Sequence, residues 1–313
     1  MLINEFLESV ERKTNLLVEE RGLAAIPNRK IVNKILEFCQ IKTNQIKIGE
    51  TLSFVIPEQI TRRIDIVNVL KINVNITDAT TDKSLNGSGR VTLDKTIGFV
   101  NNKIDYAEIT IDGYSYNGVL YDRTILSSLY HELNHLYDFW NDLKKTGGLN
   151  RSAKSVAKAG EIKDCNVTGN NVVDGFIHDI IYRLFSETEI NALIANTYGD
   201  LQSIESRREN FQEDIKKTKP YIVYSVIKDN LSALRKSMSS SEERIDDLKK
   251  YLESNGIMLN PYGNSKSDYL KEFFRKTAYL LKKLYKGIGR VASLYYDTNE
   301  FQKPKVNEKI TIK

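Results

Sequence analysis

The sequence predicts an α+β protein, with strands gathered in its first half and a second half that is almost wholly helical. Two patterns predict this. Between residues 50 and 121 apolar and polar residues alternate, as in Ile64-Asp65-Ile66-Val67-Asn68-Val69-Leu70 and Ile72-Asn73-Val74-Asn75-Ile76. From Asp122 onward the apolar spacing lengthens to three and four residues, the period of a helix. The charge divides as well: residues 201–313 hold 23 Lys/Arg against 15 Asp/Glu, within a net charge of only +5 for the chain.

Taken in order, residues 1–40 read as two helices broken at Gly22 and Pro27. The first carries a stripe of Phe6, Leu7, Val10, Leu16 and Leu17, and the second one of Ile31, Ile35, Leu36 and Cys39. Strand-like segments follow the two alternating runs at 90–93, 97–100, 107–111 and 115–121. Asn86-Gly87-Ser88-Gly89, Asn101-Asn102 and Asp112-Gly113 separate them as turns. The expected sheet is small and mostly antiparallel. Asp122 or Thr124 can cap the next helix, whose stripe is Leu126, Leu129, Tyr130, Leu133, Tyr137 and Trp140 and whose end is Gly147-Gly148. Residues 146–175 read as a long surface loop, and one helix is expected over 175–198. Charged helices fill 201–255, broken at Pro220 and restarted by Ser239-Ser240-Ser241-Glu242-Glu243, a capping-box start. A last helix covers about 267–296. The implied domains are N-terminal helices (1–49), a core (50–200) and a helical C-terminal lobe (201–313).

Composition narrows the function classes. A chain with 41% hydrophobic and 28% charged residues is an ordinary globular one, which excludes a largely disordered protein. No apolar run approaches the roughly 18 residues of a membrane helix, and the first residues lack the apolar segment of a signal peptide. A cytoplasmic protein is expected. Cys39 and Cys165 are the only cysteines, too few for a disulfide framework, and read as free thiols. The last helix interleaves Lys271, Arg275, Lys276, Lys282, Lys283, Lys286 and Arg290 with aromatics. An amphipathic helix with Leu270, Phe273, Phe274, Leu281, Leu284 and Ile288 inward accounts for it better than a nucleic-acid or membrane face.

The chemistry is carried by His131-Glu132-Leu133-Asn134-His135. Only three histidines exist, and this pattern arises by chance roughly 0.002 times in a chain of this length. On a helix, residues four apart stand about 40° from each other, so both imidazoles can reach one metal ion. Glu132 is turned about 100° from His131, beside the metal rather than on it, where it can take a proton from water. Ser127 and Ser128, one turn earlier, are small enough to leave room for metal and substrate. A third ligand is sought on the following helix, where Glu187 and Glu189 stand about 200° apart and cannot share a site. Glu189 continues the inward row Ile181, Phe185, Ala192 and Leu193, where a buried carboxylate needs a partner. It is the favoured ligand, with Glu187 and His178 as alternatives.

A His-Glu-x-x-His pair followed by Glu189 on a later helix resembles the gluzincin branch of the zincin metallopeptidases. The resemblance covers residues 121–198. It implies a zincin-like core, a Zn2+ ion on His131, His135 and Glu189, and a hydrolase in which Glu132 activates the water that attacks a peptide bond. A small residue three positions after the third ligand is usual in such families, and Ala192 stands there. The acidic residue expected four positions after it is Leu193 here, so the group orienting a histidine must come from elsewhere, with Asp138 a candidate. An oxyanion donor is also implied, from His178, Tyr182 or Tyr198. An edge strand should hold the peptide substrate, and 105–121 is the expected supplier. Cys165 is a remote candidate for a thiolate that caps the zinc. The alternative is a structural or regulatory binding protein on the same fold, such as a phage particle component whose helical lobe packs on protein partners. The Asn/Lys/Ile/Tyr-rich style fits an AT-rich bacterium or its phage, which adds the virion to the expected locations.

Overall fold

The computed structural model describes residues 29–39, 49–64, 66–78, 89–93, 99–100, 102–116, 119–120, 122–146 and 164–298. The helix expected before Gly22 lies outside these residues, as do Gly147-Gly148 and most of the loop after them. The protein is α+β and mostly helical. Helix α1 (Arg29–Phe38) buries Val32 and Ile35, with Cys39 just beyond its end.

Four main strands form a mixed sheet in the order β1-β2-β5-β3, where β1 is Thr51–Ile56, β2 Val67–Asp78, β3 Gly89–Leu93 and β5 Lys103–Tyr116. The two-residue strands β4 (Phe99–Val100) and β6 (Val119–Leu120) also pair with β5. Among the described strands every pairing is antiparallel but one. The two longest strands, β2 and β5, run parallel from Val67↔Ile104 to Asp78↔Ser115, so the centre of the sheet departs from the antiparallel expectation.

Two strand boundaries also differ. The runs 64–70 and 72–76 are one strand, because Lys71 sits on the outer face and continues the alternation rather than ending it. Ile64 instead closes helix α2 (Glu58–Ile64). Asp112-Gly113 is not a turn: β5 passes through it, held by β2, with Asn75 donating to Asp112 Oδ1 at 3.0 Å.

The pleat sorts the sheet's two faces. Leu70, Ile72, Val74 and Ile76 of β2 and Ala107, Ile109 and Ile111 of β5 are buried inward. Outward, Ser53 donates to Asn73 at 2.7 Å, Asn73 to Glu108, and Lys71 pairs with Glu108 at 3.5 Å. The inner face receives α3 (Asp122–Thr146), which packs on β5 and β3. The far side of α3 is covered by α5 (Glu187–Ser203), so α3 lies between sheet and helix. The consequence is severe burial. From residue 125 to 136 every residue is buried except His131.

The single helix expected over 175–198 is two. Helix α4 (Asn171–Ile180) starts under an Asn170 cap that accepts from Val172 and Val173 amides at 3.0 and 3.2 Å. It runs into a π-helical turn (Ile181–Phe185), and the chain then extends at Ser186 before α5 begins. Ser186 is the N-cap of α5 and accepts from the amide of Glu189 at 3.4 Å.

Beyond α5 come α6 (Phe211–Lys216), α7 (Lys219–Ser239), α8 (Glu242–Ser254) and α9 (Lys266–Thr298). Helix α9 lies along α5, and at Gly287 the approach is so close that a Cβ would collide with the side chain of Ile194. It buries Leu270, Phe273, Phe274, Leu281, Leu284 and Ile288 and leaves Lys271, Arg275, Lys282 and Lys286 exposed, the amphipathic arrangement expected. One hydrophobic core runs from Val32 to Tyr296, so the C-terminal helices share their packing with α5. No described helix is long and apolar enough to cross a membrane.

Candidate metal centre

His131 and His135 project from the middle of α3 on its α5 side, one helical turn apart. Their Nε2 atoms lie 3.1 Å from each other. Glu189, in the first turn of α5, meets both: Oε2 is 3.6 Å from His131 Nε2 and Oε1 is 3.5 Å from His135 Nε2. Among the described residues these three form the one group of histidine, cysteine or carboxylate donors able to hold a metal ion. His135 and Glu189 are buried, while the His131 side chain keeps 19% of its surface exposed and marks the open side of the group.

Why Glu189 reaches them is visible in α5. Ser186-Glu187-Thr188-Glu189 has the form of a capping box, in which the glutamate would turn back to the cap amide. Here the Ser186 hydroxyl takes the Glu189 amide, and the Glu189 carboxylate is directed to the imidazoles instead. The same stripe of α5 continues through Ala192, Asn196 and Gly199. At Gly199 a Cβ would stand 2.9 Å from Ser127 Cα and 2.9 Å from Tyr130 Cδ2. The absent side chain lets the two backbones touch, and the helices run antiparallel. The side chain of Glu187, the alternative ligand, lies outside the described residues.

The electrostatics follow from burial and from this grouping. Burial pushes the Glu132 carboxyl up to about 7, helped by the Glu189 charge and opposed by His131 and Lys219. Glu132 is thus a buried carboxyl with a proton affinity near neutrality, next to His131 in the chain. Burial also pulls His135 down to about 4, aided by His131. His131 moves the other way: burial would lower it, but the Glu189 carboxylate 3.6 Å away and the charge of Glu132 outweigh that. Glu189 is lowered against burial by the two imidazoles beside it.

Of the other expected residues, Tyr182 is close enough for Glu189 and Glu132 to act on its phenol. Burial first, then Glu189, pushes it to about 12, so it keeps its proton and can donate. The π-helical turn carries Tyr182 and Arg183, and π turns are frequent at functional sites because they re-aim side chains within a helix. His178 is not part of the donor group. It stacks on Tyr182 with ring centres 6.3 Å apart and planes 8° from parallel. Tyr198 lies in the core, its ring 5.1 Å from that of Tyr130 and 5.3 Å from that of Tyr295. Asp138 receives Asn134 Nδ2 at 3.4 Å. Cys165 lies 4.0 Å from Asp174 Oδ1, and burial followed by that carboxylate raises its thiol to about 12, far from a thiolate ligand.

Sequence reasoning missed two neighbours. Asn196, seven residues after Glu189 on the same stripe, sits beside His131 Nδ1; a polar residue at that spacing on an inward face was the available signal. Lys219 opens α7, and its charge acts on His131, Glu132 and Glu189. Nothing local foretold it, since the meeting is made by the packing of α7 on α5. The expected edge strand is also corrected: β5 is internal, flanked by β2 and β3, and β3 is the outer strand on the side that α3 covers. The parallel β2 at its other side is what encloses β5.

In comparisons with protein families, curated proteins and solved structures, none matches the chain. What stands on the residues alone is a buried two-histidine, one-glutamate group that could hold a metal ion.

Proposed function

We propose that this protein is a zinc-dependent peptidase with a zincin-like core. The observation that carries the reading is the spacing of the donors. Ligands about 2.0–2.2 Å from one tetrahedral zinc ion stand roughly 3.3–3.6 Å apart. Here the two imidazole nitrogens are 3.1 Å apart, the carboxylate sets one oxygen 3.6 Å from His131 and the other 3.5 Å from His135, and one donor atom from each residue lies within 4.8 Å of the others, so one ion fits the group after a small turn of the carboxylate. Two imidazoles and one carboxylate make the donor set of a catalytic rather than a structural zinc, because they leave one position open. His131, with its exposed edge, places that position toward solvent.

When bound, zinc supplies a Lewis acid that polarises a substrate carbonyl and acidifies a water. Glu132 takes the proton of the attacking water on its carboxylate and returns it to the leaving amine, a role its raised proton affinity suits. Tyr182, protonated throughout, donates to the carbonyl oxygen as negative charge gathers there. Among the described residues β3 is the outer strand, and its main-chain groups are where an extended peptide would lie.

Metal analysis of the purified protein, paired with a peptide-cleavage screen, tests the reading. About one zinc per chain is expected, lost in His131→Ala and His135→Ala, with hydrolysis lost alongside it. Stoichiometric zinc in both variants would refute the site, and zinc without cleavage of any peptide would refute the activity.

A further inference from the structure

Two cations stand near the donor group, and one of them has donors to spare. Arg183 follows Tyr182 in the π-helical turn, and its side chain keeps only 24% of its surface exposed. Its Nε donates to Asp179 Oδ1 at 3.4 Å, one turn back on α4. Among the described residues that long contact to an exposed carboxylate is the one hydrogen bond or ion pair the guanidinium makes. Nη1 and Nη2 therefore have no protein partner there, although a guanidinium offers five N–H donors in a planar fork. Glu189 lies within reach of the Arg183 charge but does not take these donors, because its oxygens are turned to the two imidazoles. Lys219 is the second cation. Its backbone amide is bound to Asp200 Oδ2 at 2.7 Å, where α7 packs on α5. Burial, and then the Arg183 charge, lower its ammonium from the usual range, while Asp200, Glu132 and Glu189 act the other way.

We propose that Arg183 determines substrate specificity: through Nη1 and Nη2 it binds a carboxylate of the peptide, with Lys219 adding its charge. A carboxylate presents two oxygens to the two nitrogens of the fork and takes parallel N–H···O bonds from them. A neutral amide has one oxygen and an NH2 group that the fork repels, so the site separates glutamate from glutamine and a free chain end from a blocked one. Arg183 adjoins Tyr182, the donor to the carbonyl under attack. With about 3.3–3.6 Å per extended residue, the carboxylate lies within roughly two or three residues of the bond that is cleaved. It comes either from an acidic side chain or from the C-terminus of the substrate.

This specificity rests on the reading of the protein as a peptidase, but its test needs neither metal nor turnover. Calorimetry on the metal-free wild-type protein compares peptides in pairs. End-blocked alanine peptides carry glutamate or glutamine at successive positions, and a further alanine peptide has its C-terminus free or amidated. The charged member of at least one pair should bind roughly 10–100-fold more tightly than its neutral twin, the usual gain from hydrogen bonds to a charged group. A preference confined to the glutamate pairs assigns the site to a side chain, and one confined to the free end assigns it to the C-terminus. Arg183→Gln should bring the ratio to about one, and Arg183→Lys, which keeps the charge but loses the fork, to within about threefold of one. Each ratio is internal to one protein, so a poorly folded variant weakens both members alike. No binding or equal binding within every pair for the wild type overturns the inference, as does a ratio unchanged in both variants. A wild-type protein that prefers the charged peptides yet takes up no zinc and cleaves nothing refutes the peptidase and keeps the carboxylate site. A zinc-loaded enzyme with the same kcat/KM on charged and neutral twins refutes the preference and keeps the peptidase.

Discussion

Replacing Glu132 by glutamine should stabilise the metal-free protein at alkaline pH while abolishing hydrolysis by the zinc-loaded one. Glu132 is 3% exposed, and burial raises its carboxyl from 4.5 to about 7. A raised carboxyl means that the folded state keeps a proton the unfolded chain has lost. Stability therefore falls as pH rises from 4.5 to about 7, is fully reduced above that, and is unaffected below 4.5 where both states hold the proton. That interval, at 1.36 kcal/mol per pH unit, is about 3 kcal/mol. Glutamine has the same shape and never ionises, so Glu132→Gln should be more stable than wild type by about that amount at pH ~8. The gain should vanish near pH ~4. His135, lowered by burial to about 4, contributes the opposite slope, with stability lost as pH falls from 6.5. It is present in both proteins and cancels in the comparison. Urea denaturation of both proteins with chelator present, at the two pH values, measures the difference. The reasoning is refuted by equal stability at pH ~8, or by a gain that persists unchanged at pH ~4. With zinc restored, Glu132→Gln should retain the metal and lose roughly 10²–10⁴-fold in turnover, as expected for a base that is not a ligand.

Three further outcomes are expected. Glu189→Ala should lower zinc affinity by more than about 100-fold, beyond what loss of an outer partner costs, as read by competition with a chromogenic chelator. Gly199→Ala must push Ser127 and Tyr130 away, since both lie 2.9 Å from the added carbon; it should cost about 1–3 kcal/mol and weaken zinc binding as α3 and α5 separate. Thermal unfolding and zinc titration of that variant check the two effects, and wild-type values in both would show that the close approach is not needed. Tyr182→Phe should keep zinc and fold while kcat on a cleaved peptide falls roughly 10²-fold, and an unchanged kcat would remove Tyr182 from the reaction.

The sequence by itself determined the elements whose signals are local. The alternation in 67–76 made β2, Pro220 placed the start of α7, and the i, i+4 histidines had to share a helical face. Those outcomes need only the pleat, the helical period and the fixed φ of proline, whereas the capping box expected at 239–243 does not form: α8 starts after Ser241, which makes no side-chain cap hydrogen bond. The inward row through Phe185 and Leu193 pointed to Glu189, yet the helix assumed for it was wrong. The break at Ser186 restarts the helix, and it is the capped first turn of α5 that holds Glu189 near the imidazoles. Ser186-x-x-Glu189 was a legible cap signal, masked by helical periodicity running through it.

Only the tertiary structure decided the rest, because the deciding partners are distant in the chain. Whether β5 is an edge or a centre depends on β2 running parallel beside it, and no residue within β5 reports its neighbours. Whether α3 has one buried face or two depends on α5 covering it, made possible by the missing side chain at Gly199. Tyr198 could not be told from a site tyrosine until its ring was found between Tyr130 and Tyr295. Asn196 and Lys219 enter the site through that same packing. The proton affinity of Glu132 is of this kind too: its position beside His131 is written in the sequence, but the burial that raises it to about 7 exists only once sheet, α3 and α5 have closed around it.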